Sequence, residues 1–168
     1  YQSAYKIIDT TVDSLKQMAE SVCELDKNLT EFNKVADLSS TQLEDFSDKA
    51  YDAADKIGRT GSDMIEASTE FKKAGYDLDH SLEMGNAALV MTNVADGITQ
   101  TSDAASTLIS VLNGFKLDAS ETMTVVDKIN SVSNQSPVEF DNLANGLERV
   151  SGTMNQAGNS IDQTIGLL

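Results

Sequence analysis

The sequence predicts an all-α fold: a long N-terminal coiled-coil-like helix followed by a compact array of about seven short helices in helix-turn-helix repeats. Three observations predict it. Five heptads run unbroken over residues 1–36, capped helical patterns fill the remainder, and only one proline stands in 168 residues. No segment alternates apolar and polar residues between hairpin turns, as a strand would.

In the first segment, with Ile8 at position a, the a residues are Tyr1, Ile8, Leu15, Val22, Leu29 and Ala36, and the d residues are Ala4, Thr11, Met18, Leu25 and Phe32. Charged Lys6, Asp13, Glu20, Lys27 and Lys34 all fall at f. This is a coiled-coil pattern, and as one helix it makes a rod of about 54 Å. Among the e and g positions, Tyr5, Val12, Ala19, Ile7, Ser14 and Val35 are uncharged and do not form charged pairs, which widens the stripe. The wide stripe fits self-association of three or more copies through residues 1–36. It equally fits a long amphipathic helix packed on its own domain.

Ser39-Ser40-Thr41 ends the pattern, and Thr41 with Glu44 can form a capping box for a second helix running to about Ile57. Gly58-Arg-Thr-Gly61 is a turn, and Thr60 or Ser62 caps a third helix to about Ala74. A helix from about Leu78 to Val94 turns Leu82, Leu89, Val90 and Val94 inward. After a turn at Asp96-Gly97, a helix from about Thr99 to Asn113 does the same with Ala105, Leu108, Ile109 and Leu112. Another spans about Asp118–Val132. At Asn134-Gln-Ser136-Pro137 the chain stops and restarts: Ser136 is the expected cap, Pro137 the first helical residue and Glu139 the closing partner, in a helix that ends near Met154. A last helical pattern has barely begun at Ile161. The chain therefore divides into a helical arm, 1–38, and a helical domain, 39–168. Because it starts at Tyr1 and stops soon after Ile161, it reads as a fragment whose domain is truncated at its C-terminal end.

One short pattern punctuates this array. Gly75-Tyr-Asp-Leu78-Asp79-His-Ser81-Leu-Glu-Met84 recurs as Gly114-Phe-Lys-Leu117-Asp118-Ala-Ser120-Glu-Thr-Met123 and, degenerately, as Gly158-Asn-Ser-Ile161-Asp162-Gln-Thr164-Ile-Gly-Leu167. The glycine takes the left-handed conformation that ends a helix. The Leu or Ile pins the turn to the core. The Asp or Ser/Thr accepts hydrogen bonds from the free amides of the next helix. The glycines lie 39 and 44 residues apart, a period typical of stacked helical units.

Composition narrows the function classes. The net charge of −15 argues against nucleic-acid binding and against an anionic membrane surface. The lone Cys23 makes no internal disulfide, and the longest apolar stretch, Ala87–Met91, is far short of a membrane span. Enzymes need converging nucleophiles, bases or metals, and no such set is found. His80 is the single histidine and reads as a surface or capping residue. Asp77, Asp79 and Ser81 imitate the start of a calcium loop, but Leu82 stands where glycine is needed and Ala88 where the closing Glu belongs. Gly58 and Gly61 lack the Gly-Lys-Ser/Thr of a phosphate loop. Asn28-Leu-Thr30 matches a glycosylation sequon by chance. The sequence thus predicts no enzyme, with no catalytic, cofactor-binding or metal residues.

One long stretch carries more. The run Ile57-Gly-Arg-Thr-Gly61 through Phe71-Lys-Lys-Ala-Gly75 to Leu78 resembles the conserved region of phage tail tape measure proteins, also called minor tail proteins. The resemblance continues through Asn86–Asp96, Leu108–Leu117, Val126-Asp-Lys-Ile-Asn130 with Asn134, Leu143–Arg149 and Ala157–Leu168, so it covers about residues 50–168. The order and spacing of these pieces make it specific. It implies a structural role: a ruler in the lumen of the tail tube that sets tail length and leaves ahead of the DNA at infection. It also implies a virion location after assembly in the host cytoplasm. The implied partners are the tail tube protein, tail assembly chaperones and tail-tip or baseplate proteins. The competing reading is a bacterial helical interaction, signalling or secreted effector module. A secreted helical hairpin would need a Trp-x-Gly turn, and Trp is absent. A chemoreceptor-like module would run heptads without glycine punctuation.

Overall fold

The computed structural model describes the backbone from Gln2 to Leu168 and the side chains from Lys16 onward. The described chain is all-α. Helices α1 (Gln2–Ala36), α2 (Ser40–Lys56), α3 (Gly61–Lys73), α4 (Leu78–Val94), α5 (Thr101–Phe115), α6 (Thr122–Ser133), α7 (Phe140–Gln156) and α8 (Ile161–Ile165) follow one another, with one 3-10 turn (Ala119–Glu121) leading into α6. A long helix is thus followed by seven shorter ones. The stripe members before Lys16 lie outside the described residues.

The helices enclose two adjoining apolar clusters. The first gathers Phe32 of α1, Phe46, Ala50 and Ala54 of α2, Met64, Ile65 and Ala67 of α3, and Leu89 of α4. The second gathers Phe71 of α3 with the inner faces of α4 to α8, among them Met84, Met91, Leu108, Leu112, Ile129, Leu143 and Leu147. Helices α3 and α4 pack on each other and carry residues into both clusters. Their crossing is close: a Cβ on Gly85 would lie 2.8 Å from Ser68 Oγ and 3.0 Å from Ser68 N. Helices α5 and α7 cross as closely at Gly114, which faces Ser151 and Gly152.

Five helix junctions use one device. Every left-handed residue among those described, Asp37, Gly58, Gly75, Lys116 and Gly158, stands two positions before the residue that starts the next helix: Ser39, Thr60, Asp77, Asp118 and Ser160. At Gly75 the amide bonds back to Lys72 O at 3.0 Å and the Tyr76 amide to Phe71 O at 3.2 Å. This is the paired closure that satisfies a helix's last carbonyls. Lys116–Leu117 and Gly158–Asn159 make the same pair of bonds.

That register corrects the repeat. Gly75 and Gly158 are left-handed as expected, but Gly114 lies inside α5 and Lys116 takes the left-handed place at φ 57°. The second copy is therefore displaced by two residues. Its buried hydroxyl is Thr122, not Ser120, and it bonds to Ala119 O as Ser81 does to Asp77 O and Thr164 to Ser160 O. Asp118 alone of the three repeat acids opens a helical turn, its amide held by Glu121 Oε2 at 3.0 Å. Asp79 and Asp162 sit in first turns, after caps supplied by Asp77 and Ser160.

Other expected ends also move. The cap of α2 is Ser39 with Gln42, not Thr41 with Glu44, because the left-handed residue at Asp37 fixes the start. Thr60, with Asp63, is the cap of α3. Ser136 accepts from Val138 N at 3.3 Å in a tight turn, and α7 starts only at Phe140 after Glu139. So neither Ser136 nor Pro137 begins that helix, and Glu139 closes no box. In α4, Leu89 is buried while Leu82 and Val90 are partly covered and Val94 is 38% exposed. The inward face is instead made by Ser81, Met84, Gly85, Ala88 and Met91.

Candidate functional site

The residues that carry chemistry elsewhere are spent on structure here. Asp77 caps α4, accepting from His80 N at 2.9 Å, and its other oxygen meets His80 Nδ1 at 2.6 Å. That hydrogen bond, and then the charge of Asp77, raise the His80 pKa above its ordinary value, while the bonds from His80 lower that of Asp77. Asp79 lies 3.8 Å from Lys49 of α2, and Ser81 is buried against Asp77 O. The three oxygens of the calcium-like run therefore diverge. Gly58 N is bonded to Asp55 O inside its turn. Cys23 and Glu44 and Asp45 are exposed. Asn28 of the sequon donates to Ser62 Oγ at 2.8 Å. Among the described residues no three His, Cys, Asp or Glu side chains are grouped to hold a metal ion, and no helix is long and apolar enough to cross a membrane.

What the surface offers is the stripe of α1, which changes environment along its length. Met18 and Val22, at d and a, are 65% and 64% exposed. One turn later the stripe meets the rest of the chain. Leu25, Leu29 and Ala36 pack partly against the first cluster, and Phe32 is fully buried. The Phe32 ring stacks on Phe46 of α2, with centroids 4.0 Å apart and planes within 5°. Two amides flank the docked segment. Asn28 at g reaches Ser62 at the start of α3, and Asn33 at e brackets Leu38, accepting from its N at 2.7 Å and donating to its O at 3.3 Å. The sequence left open whether the stripe meets its own domain or other copies. Over residues 25–36 it meets its own domain.

Sequence reasoning missed the residues that place this helix. Phe32 was a stripe member, but nothing in the pattern named Phe46 as its partner. Nor did any local signal mark Ser62 as the acceptor for Asn28, 34 residues away. Arg59 was likewise unremarked. It donates from Nε to Asn93 Oδ1 at 2.8 Å and from a terminal nitrogen to Thr92 Oγ1, tying the α2–α3 turn to the end of α4.

A family model of phage-related minor tail proteins matches residues 47–168. The chain belongs to that family. The match begins inside α2 and runs through α8, so it spans all of the second cluster and leaves α1 outside. As a member of the minor tail protein family, the chain has a structural role in a phage tail and a place in the virion tail among other tail components. No solved structure matches it.

Proposed function

We propose that this minor tail protein is part of a tape measure protein, the ruler that occupies the tail tube lumen, sets where tube growth stops and leaves ahead of the DNA. The observation that carries the reading is the run of ordered sequence pieces from Ile57 to Leu168, which coincides with the family match. The helical architecture supports it, since helix length maps nearly linearly onto residue number. Helix α1, 35 residues long, supplies about 50 Å of rod at 1.5 Å per residue. Residues 39–168 act as a folded station on the ruler, a helical domain that engages tube or tail-tip proteins, and the chain is not an enzyme. The exposed stripe of α1 joins three or more copies side by side.

Deletions in the parent gene test the ruler. Removing helical stretches outside this region should shorten tails by about 1.5 Å per residue removed. Removing residues 57–168 should leave few or no tails, because a folded contact is lost rather than length. Electron microscopy of lysates reads both. Tails of normal length after either deletion reject the ruler, and short infectious tails after the second reduce the region to spacer.

A further inference from the structure

The geometry points to a strap: residues 25–36 of α1 have two mutually exclusive partners, the α2–α3 groove of their own chain and the same segment of other copies. This rests on the proposed self-association of α1. The stripe is one continuous register, with a and d residues from Leu15 to Ala36 and no slip. A helix face cannot be buried against its own domain and face the axis of a coiled coil at once. In the single chain the seam open to another copy therefore stops near Val22.

Four observations make the docked state exchangeable. The groove leaves Leu25, Leu29 and Ala36 only partly covered, whereas a coiled-coil seam encloses a and d residues on all sides. Phe32 is the one side chain of α1 that the groove buries completely among the described residues. The docked segment belongs to the first cluster alone, so its release leaves the larger cluster closed. Finally, α1 is joined to α2 through Asp37, a left-handed residue without glycine's freedom at φ 52°, which puts strain at the point where a hinge would turn. The occupant is a second copy because the exposed positions Met18 and Val22 continue the same heptads, with charged Glu20, Lys27 and Lys34 at f exposed to water.

A reversible lock tests it. Asn28→Cys with Ser62→Cys, on a Cys23→Ser background, places two thiols where amide and hydroxyl now touch at 2.8 Å. A short bismaleimide with an internal disulfide joins them, locked while that disulfide is oxidised and released when it is reduced. Ser62→Ala does the reverse, removing that hydroxyl acceptor while leaving the seam intact. Circular dichroism first confirms that each variant is folded. Sedimentation equilibrium then measures association of the oxidised lock, the reduced lock, Ser62→Ala and the parent. Competition predicts that oxidation weakens association by about tenfold or more, equivalent to about 1.4 kcal/mol, and that Ser62→Ala tightens it. Equal association of the oxidised and reduced forms overturns the strap and fixes the seam's end at Val22. A parent that stays monomeric at every concentration overturns self-association itself, and the strap with it.

Discussion

Ser151 fills the volume that a side chain on Gly114 would need. A Cβ there would overlap the Cβ and Oγ of Ser151 and lie 2.9 Å from the Gly152 amide. Ser151 is itself buried and donates to Ser110 O at 3.3 Å across the α5–α7 contact. The glycine is there for contact between helices and not for its backbone angle.

Gly114→Ala should therefore cost about 1–3 kcal/mol, the range for overpacking a tight contact. Ser151→Gly should return part of that loss when combined with it. Gly75→Ala should cost about 1–2 kcal/mol through the left-handed backbone alone, since nothing lies within 4 Å of its added Cβ. Gly75→Asn should be milder, because Asn tolerates that conformation. Urea titrations compare them, and a Gly114 loss that Ser151→Gly leaves unchanged would reject the crossing.

Lys116 holds a position that glycine fills at three equivalent junctions. Lys116→Gly relieves the left-handed strain and should stabilise by about 0.5–1 kcal/mol. In a chain of this size that raises Tm by roughly 2–4 °C per kcal/mol. A lower Tm would mean that the lysine side chain contributes more than the strain it causes.

The two halves of the α1 stripe should respond differently. Phe32→Ala should lower domain stability by about 3–5 kcal/mol, and Leu29→Asp should also act on the domain, since Leu29 packs there. Met18→Asp and Val22→Asp should leave the melting of dilute protein unchanged and abolish self-association. Calorimetry with sedimentation separates the two effects. An equal stability loss in all four would show that Met18 and Val22 are covered by the same chain.

How much of this was legible in sequence depended on distance along the chain. Helix α4 begins at Leu78 and ends at Val94 as its pattern indicated, and the ends of α2 and α3 fall within about one residue. Starts were harder. Ser39, Ser40 and Thr41 can all cap, and the choice falls to Ser39 because Asp37 turns left-handed two residues earlier. At Ser136-Pro137 the local signal was strong, yet the hydroxyl serves a turn and α7 starts at Phe140, whose ring is buried. The repeat gave the right device in a register shifted by two at Gly114, since Gly114 and Lys116 compete for one role and only the α5–α7 crossing decides. Contacts such as Phe32 with Phe46 or Gly85 with Ser68 join separate helices, so no periodicity marks them. The stripe was visible, but the point where its cover begins was not.

His80 should titrate above 6.5, the ordinary value from which its pairing with Asp77 raises it, and Glu83 and Asp79 add to the shift. The sign follows. The pair's contribution through His80 is complete below the unfolded histidine pKa and fades as pH rises through the folded one. Through Asp77, whose pKa is lowered from 3.8, it is present above that value and fades as pH falls through the folded pKa. The pair therefore helps most between about pH 4 and 6.5. NMR titration should show the His80 pKa falling back in Asp77→Asn, which keeps an N-cap. An unchanged pKa would remove Asp77 as the cause.

The five junctions, each with a left-handed residue two positions before the next cap, also bear on synthesis. Each brings consecutive helices back toward one another without a long loop to close, and such locality favours fast folding. Among the described residues, every buried member of the first cluster lies between Phe32 and Leu89, and the half-buried side chains packed on it lie between Leu25 and Leu82. That half is complete in the nascent chain before α5 has left the ribosome. The second cluster then grows onto a finished template, so the order of translation and the order of assembly coincide.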